Sequence, residues 1–208
     1  MEYEVRYYFP TEKLESIIEK LKNIQDLNMK SRCYEKTSQF DHPNDEMSFY
    51  SKEIDGRFRI RVTKNDETAK CKISWKRRIP DTKATDVNKE VEVRVQYDDY
   101  DNLMFLINNV LKMKDVESYE RYRTIFVNDE VEISVDEYPF GIALEVENKS
   151  SSKDPNEVVR KWVEILELDI NKSYRLSWDD KYSELCKSQN IKQYSHVTFD
   201  LPMPKVIE

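Results

Sequence analysis

The chain has 208 residues, a length for one domain or one domain with an appendage. Its 34 Lys and Arg against 41 Asp and Glu leave a net charge of −7, which argues against non-specific binding of duplex nucleic acid. Charged residues make up 36% of the chain, yet aromatics at 12% exclude a disordered one, and only 2 Gly exclude phosphate-binding loops built on several glycines. His42 and His196 sit in no nucleophilic-triad motif. Cys33, Cys71 and Cys186 include no C-x-x-C, so no zinc site of ordinary spacing is present. Odd in number and scattered, these cysteines read as reduced thiols, which implies a cytoplasmic protein. The longest apolar run, from Leu103 to Ile107, is far too short to span a membrane, and the chain opens on acidic residues, not a signal peptide.

Alternation dominates the first 150 residues. A strand is predicted over 2–7, where charge alternates with apolar bulk. A helix follows over 11–23, after Pro10 and a capping Thr11, with Leu14, Ile17, Ile18 and Leu21 on one stripe. Strands are predicted over 31–40, 47–53, 57–62, 69–78 and 90–95. A second helix covers 100–112, and strands follow over 119–127, 130–136 and 144–147. Asp154 and Pro155 open a third helix over 155–167, and a fourth covers 178–188. The end of the chain, with Pro202 and Pro204, reads as extended or mobile. With no repeat or linker visible, the chain reads as a single domain over 1–190 with a tail over 191–208.

The alternating strands carry paired charges on single faces. Carboxylates recur as Glu2/Glu4, Glu90/Glu92, Glu130/Glu132/Asp136 and Glu145/Glu147, and cations as Arg59/Arg61, Arg121/Arg123 and Lys72/Lys76. Residues i and i+2 of a strand lie roughly 6.5–7 Å apart on one face. Carboxylates held that close repel, and they persist in open water or around a cation. The opposite face is bulky: Tyr3, Val5, Tyr7, Phe58, Ile60, Val91, Val93, Val131, Ile133, Leu144 and Val146. An α+β fold satisfies both faces, with a closed antiparallel β-barrel around a polar lumen and helices packed outside. Acidic pairs in such a lumen suit a hard divalent ion, and Arg and Lys suit phosphate oxygens, so the lumen fits a polyphosphate bound as its metal complex. Trp75, Trp162 and Trp178 read as packing residues, and Cys71 as a strand residue of the apolar face.

At this point the residues resemble those of the CYTH proteins, the triphosphate tunnel metalloenzymes. Glu2-x-Glu4-x-Arg6 looks like their E-x-E-x-K signature, with Arg in place of Lys. Phe58-Arg59-Ile60-Arg61 is similar to an L-R-I-R strand, Ile73-Ser74-Trp75-Lys76 to L-T-x-K, and Lys89-Glu90-Val91-Glu92 to R-x-E-x-E. Tyr119 to Arg123 resembles a K-x-R strand. The stretch from Asp136 through Gly141 to Glu145 and Glu147 resembles D-x-x-x-G-x-x-x-E-x-E, with one more residue between Asp136 and Gly141, and Ser173-Tyr174 falls where the family has a late S-Y. The family's D-T-Y-F-D-x-P stretch stands here as Thr37 to Pro43, with Thr37 replacing an acid.

The resemblance implies an eight-stranded tunnel and a metal-dependent hydrolase of a linear triphosphate, inorganic or organic. Glu2, Glu4, Asp136, Glu145 and Glu147 are expected to hold Mg2+ or Mn2+. Arg6, Arg59, Arg61, Lys76, Arg121 and Arg123 are expected to bind the substrate. Glu2, Glu4, Lys76 and Glu147 are the expected catalytic residues. The alternatives are a class IV adenylyl cyclase, which forms cAMP and pyrophosphate from ATP, and an RNA 5′-triphosphatase. A module that binds polyphosphate without turnover would have lost the carboxylates, which are present here. The expected partner is a small-molecule triphosphate, with no membrane and no nucleic acid beyond an RNA 5′-triphosphate end. The chain is expected to act as a monomer or homodimer.

Overall fold

A computed structural model describes residues 2–30, 32–79 and 86–207, and of Glu2 and Asp86 it describes the backbone alone. The alternating segments form β1 (Glu2–Phe9), β2 (Asn28–Met29), β3 (Cys33–Asp41), β4 (Gly56–Lys64) and β5 (Ala69–Ile79). They continue as β6 (Asp86–Val95), β7 (Lys114–Val127), β8 (Val131–Tyr138), β9 (Gly141–Asn148) and β10 (His196–Val197). Eight of these follow one another in the order β7-β3-β4-β5-β6-β1-β9-β8, and β8 pairs back onto β7. The ring is therefore closed, and every pairing in it is antiparallel. Closure gives each of the eight strands a partner on both sides and one inner and one outer face, which is what the alternation requires.

Among the described residues, four α-helices surround the ring: α1 (Leu14–Lys22), α2 (Tyr100–Phe105), α3 (Pro155–Ile165) and α4 (Trp178–Gln189). The Asp154 carboxylate caps α3 by accepting from the Asn156 and Glu157 amides, with Pro155 at the first position. Thr11 makes no such cap; a single 3-10 turn over Thr11–Lys13 precedes α1. Val158, Val159, Trp162 and Val163 of α3, with Leu21 of α1, bury the outer faces of β1, β8 and β9 at Val5, Tyr7, Ile133, Leu144 and Val146. Each such side chain contributes roughly 1.5–3 kcal/mol on burial, so this wall is the firmest part of the ring. Across the ring, α2 continues into a wider π turn (Leu106–Val110), whose Ile107 packs on Phe40, Ile60, Val62 and Cys71.

Three expectations are corrected. Residues 47–53 form no strand. The Asp41 carboxylate accepts from the His42 and Phe49 amides and the Ser48 hydroxyl, all at 2.7 Å, and these local bonds replace a strand ladder. Val91 and Val93 do point outward, but no helix covers them; they are 52% and 56% exposed. The tail after residue 190 is extended but docked. Its β10 takes the edge of β7 at Ser118 and Tyr119, before β8 begins to pair at Tyr122. Further on, the Val206 amide donates to Phe140 at 2.8 Å, and Val206 seats on Gly141. Gly141 has φ +153°, and a Cβ there would lie 2.7 Å from the Val206 side chain, so both backbone and tail require glycine. Among the described residues, no helix is long and apolar enough to cross a membrane.

Candidate active site in the tunnel

Most of the paired charges turn inward. Glu4 and Arg6 of β1, Arg59 and Arg61 of β4, Lys72 and Lys76 of β5, and Glu90 and Glu92 of β6 line one cavity of about 290 Å³. Arg121 and Arg123 of β7, Glu132 of β8, and Glu145 and Glu147 of β9 complete its walls with Lys149. Among the described residues eight cations and six carboxylates face this space, an excess of two positive charges. Trp178, the first residue of α4, enters one end of the ring and packs on the inward rings of Tyr119 and Tyr138, with centroids 4.5 and 6.4 Å away. Ser177 and Asp180 hold that helix start, the Ser177 hydroxyl donating to the Asp180 carboxylate at 2.7 Å.

Strand register divides the carboxylates into two sets. In the first, Glu145 lies opposite Arg6, which donates to it at 2.7 Å through Nε, and Arg123 donates to its other oxygen at 2.8 Å. Arg123 also forks onto Asp136 with both contacts at 2.5 Å, and Arg121 joins Asp136 at 2.6 Å. Arg121 then reaches Glu35 at 2.6 and 2.8 Å. Burial would push the Glu35 and Glu145 carboxyls up. The arginines outweigh it and hold both well below the usual carboxylate range, Glu35 through Arg61, Arg121 and Arg123, and Glu145 chiefly through Arg6 and Arg123.

In the second set, Glu4 lies directly opposite Glu147, which in turn lies opposite Glu132, so three carboxylates stand abreast on β1, β9 and β8. Opposed side chains of an antiparallel pair have Cβ atoms roughly 4.5–5.5 Å apart, and like charges there repel. Burial pushes the Glu147 carboxyl up, and Glu4 and Glu132 add to it against the opposing Lys149. Lys149 donates to Glu147 at 2.7 Å. Lys76 and the Asn88 amide donate to Glu4 at 3.0 and 3.1 Å.

Most expected site residues therefore meet in one cavity. Arg59 donates to Ser74 and Glu90, and Arg61 to Thr37 and the Tyr119 phenol, so Thr37 takes part through its hydroxyl where the motif has an acid. Asp136 is the exception: it is fully buried behind Arg121 and Arg123, with both oxygens taken by those arginines, and it does not line the cavity. The Glu2 side chain lies outside the described residues; its backbone pairs with Asn88. Glu130 sits outside the tunnel, paired with Lys153 and Lys161.

Sequence reading misses Glu35 altogether and, having set Glu132 among the paired carboxylates, misses its place beside Glu147. Glu132 shares the inward parity of its strand, but its place beside Glu147 depends on register. Glu35 gives only the alternation of 31–40 as a signal. Among the described residues, no three acidic, His or Cys side chains converge tightly enough to hold a metal. The row Glu4–Glu147–Glu132 nonetheless has the donor chemistry of a hard divalent ion: oxygen ligands only, partly desolvated and mutually repelling.

No family model and no curated protein matches the chain. Solved structures do. The PH1819 protein of Pyrococcus horikoshii is 23% identical over 88% of this chain and 99% of its own, with a TM-score of 0.70. A candidate adenylate cyclase of Vibrio parahaemolyticus is 14% identical over 87% and 98%, with a TM-score of 0.63. The candidate adenylyl cyclase HpAC1 of Hippeastrum, described as having a dominant triphosphatase activity, is 15% identical over 93% and 98%, with a TM-score of 0.60. This chain shares the fold of these structures, the closed antiparallel tunnel expected from the resemblance to the CYTH proteins.

Proposed function

We propose that this protein is a metal-dependent triphosphatase that hydrolyses a linear triphosphate inside its tunnel. The supporting observation is the lumen itself, where six cationic side chains from four strands (Arg6, Arg59, Arg61, Lys76, Arg121 and Arg123) face the carboxylate row of Glu4, Glu132 and Glu147. The Hippeastrum neighbour with a dominant triphosphatase activity points the same way. The small positive excess of the cavity suits a polyphosphate that arrives partly neutralised as a metal complex.

Glu4 and Glu147, with Glu132 beside them, would hold Mg2+ or Mn2+. A bound ion would supply charge neutralisation at the phosphates and activation of water. Arg59, Arg61 and Lys76 grip phosphate oxygens and orient the chain of phosphates. Arg6 and Arg123 do the same from the opposite wall, where Glu145 holds them in place. Asp136 is a positioning residue, since it fixes the forks of Arg121 and Arg123 from behind. Reaction at phosphorus needs positioning and charge stabilisation more than a protein nucleophile, and among the described residues the lumen lining carries no Cys or His.

The test is to offer inorganic triphosphate, ATP and thiamine triphosphate with Mg2+ or Mn2+ and to identify products. Orthophosphate release is the expected result. Pyrophosphate with a cyclic nucleotide would overturn it in favour of a cyclase. Arg59→Ala should cost on the order of 2–4 kcal/mol in kcat/KM on every hydrolysed triphosphate. A loss confined to ATP would mean that Arg59 reads the nucleoside end.

A further inference from the structure

Tyr119 has no part in the assignments above, yet it stands among the phosphate-gripping groups. It lies on the inward face of β7, two residues before Arg121, and it lines the tunnel cavity while only 2% exposed. Its phenol oxygen accepts a hydrogen bond from Arg61 Nη2 at 3.1 Å. The Arg121 guanidinium lies 5.7 Å from its ring centre. Its ring is wedged against Trp178 of α4 and Tyr138 of β8, with centroids 4.5 and 5.6 Å away, so the hydroxyl is held in place at the cavity wall. The charged and titratable groups around it are Arg59 and Arg61 of β4, Arg121 of β7 and Tyr138 of β8, and Thr37 of β3 bonds to its hydroxyl.

We propose that Tyr119 is a catalytic residue of the triphosphatase reaction, donating its phenol proton to the leaving phosphate oxygen; this rests on the function proposed above. As water adds its oxygen to the terminal phosphorus, the bridging P–O bond breaks and its electron pair stays on the bridging oxygen. That oxygen takes the phenol proton, and the proton lost by the water restores the phenol through solvent. One water is consumed, and the side chain ends as it began.

The surroundings suit the role. Burial would raise the phenol, but Arg61, Arg121 and Arg59 outweigh it and bring Tyr119 down to about 7. A bound polyphosphate neutralises those same arginines, so it returns the proton to the phenol when substrate is present. An acid that titrates near the working pH transfers its proton efficiently.

The test has two arms, each read against Tyr119→Phe, which keeps the ring and its packing. Near-ultraviolet titration of the metal-free protein should show one of its 13 tyrosines ionising near neutral pH. Inorganic triphosphate should move that titration upward, and the variant should lack it. With Mg2+ and inorganic triphosphate, the variant should lose kcat by on the order of 10²-fold, keep KM within about threefold, and lose the basic limb of the pH–rate profile. The wild-type titration does not depend on whether the variant folds. The assignment is overturned if every wild-type tyrosine titrates above about pH 9, or if a folded variant keeps full kcat. A wild-type protein that shows the shifted titration but hydrolyses no triphosphate would instead sink the proposed reaction, and the acid role with it, leaving Tyr119 a phosphate-binding group.

Discussion

Glu145 and Glu147 stand two residues apart on one strand, point into one tunnel, and are displaced in opposite directions. Glu145 meets Arg6 across the β1 pairing and Ser134 across the β8 pairing; Glu147 meets Glu4 and Glu132. The first is held ionised by arginines, while the second is pushed up by burial and by like charge. The identity of a side chain therefore does not set its role here. A step of one alternation along the register converts a carboxylate clamped by arginines into one crowded by other carboxylates.

The largest effect that would test this contrast lies behind the arginine-clamped set. Asp136→Ala strips Arg121 and Arg123 of a buried, fully engaged counter-ion, and removing one partner of such a network costs about 3–5 kcal/mol. Denaturant melts should show that loss with or without metal. A loss below about 1 kcal/mol would mean that Asp136 is dispensable to the clamp.

Glu147→Gln should do the reverse. It removes charge from the crowded row without changing volume, so the metal-free protein should melt no earlier than wild type. Activity should fall on the order of 10²-fold, and the rise in melting temperature caused by Mn2+ should disappear. Retention of activity within about twofold would remove Glu147 from the proposed metal site.

The pH dependence is the finest probe, because the two sets carry opposite signs. Glu35 and Glu145 are depressed in the folded protein, so their stabilisation is complete above the unfolded value of about 4.3 and is lost as pH falls through their folded values. Glu147 is raised, so without metal its contribution declines as pH rises from about 4.3 through its folded value. Metal-free melts of wild type and Glu147→Gln should therefore diverge as pH rises from about 4. Parallel curves would show that the carboxylate row carries no such strain.

Much of this was legible before any coordinates. Alternation assigned Glu4, Arg59, Arg61, Lys76, Arg121, Arg123, Glu145 and Glu147 to a common interior, because a strand has a period of two and the apolar alternates had to face helices. Asp154 with Pro155 marked the start of α3 by local chemistry alone. The segment 47–53 misled because nothing within it announces that the Asp41 carboxylate, several residues upstream, organises it as a loop. The tail misled because Val197, Met203 and Val206 find their partners on β7, on α4 and at Gly141, contacts that no local pattern announces.

By itself, then, the sequence determined which side chains share a strand face, since side-chain direction along a strand is a local property of the backbone. Only the tertiary structure decided which of them are neighbours. Register across β1, β9 and β8 is a long-range pairing, and it placed Glu147 between two carboxylates, Glu145 beside Arg6, and Asp136 behind its arginines. The Coulomb energy of each group depends on those few ångströms, so the chemistry of the site was settled across strands and not along them.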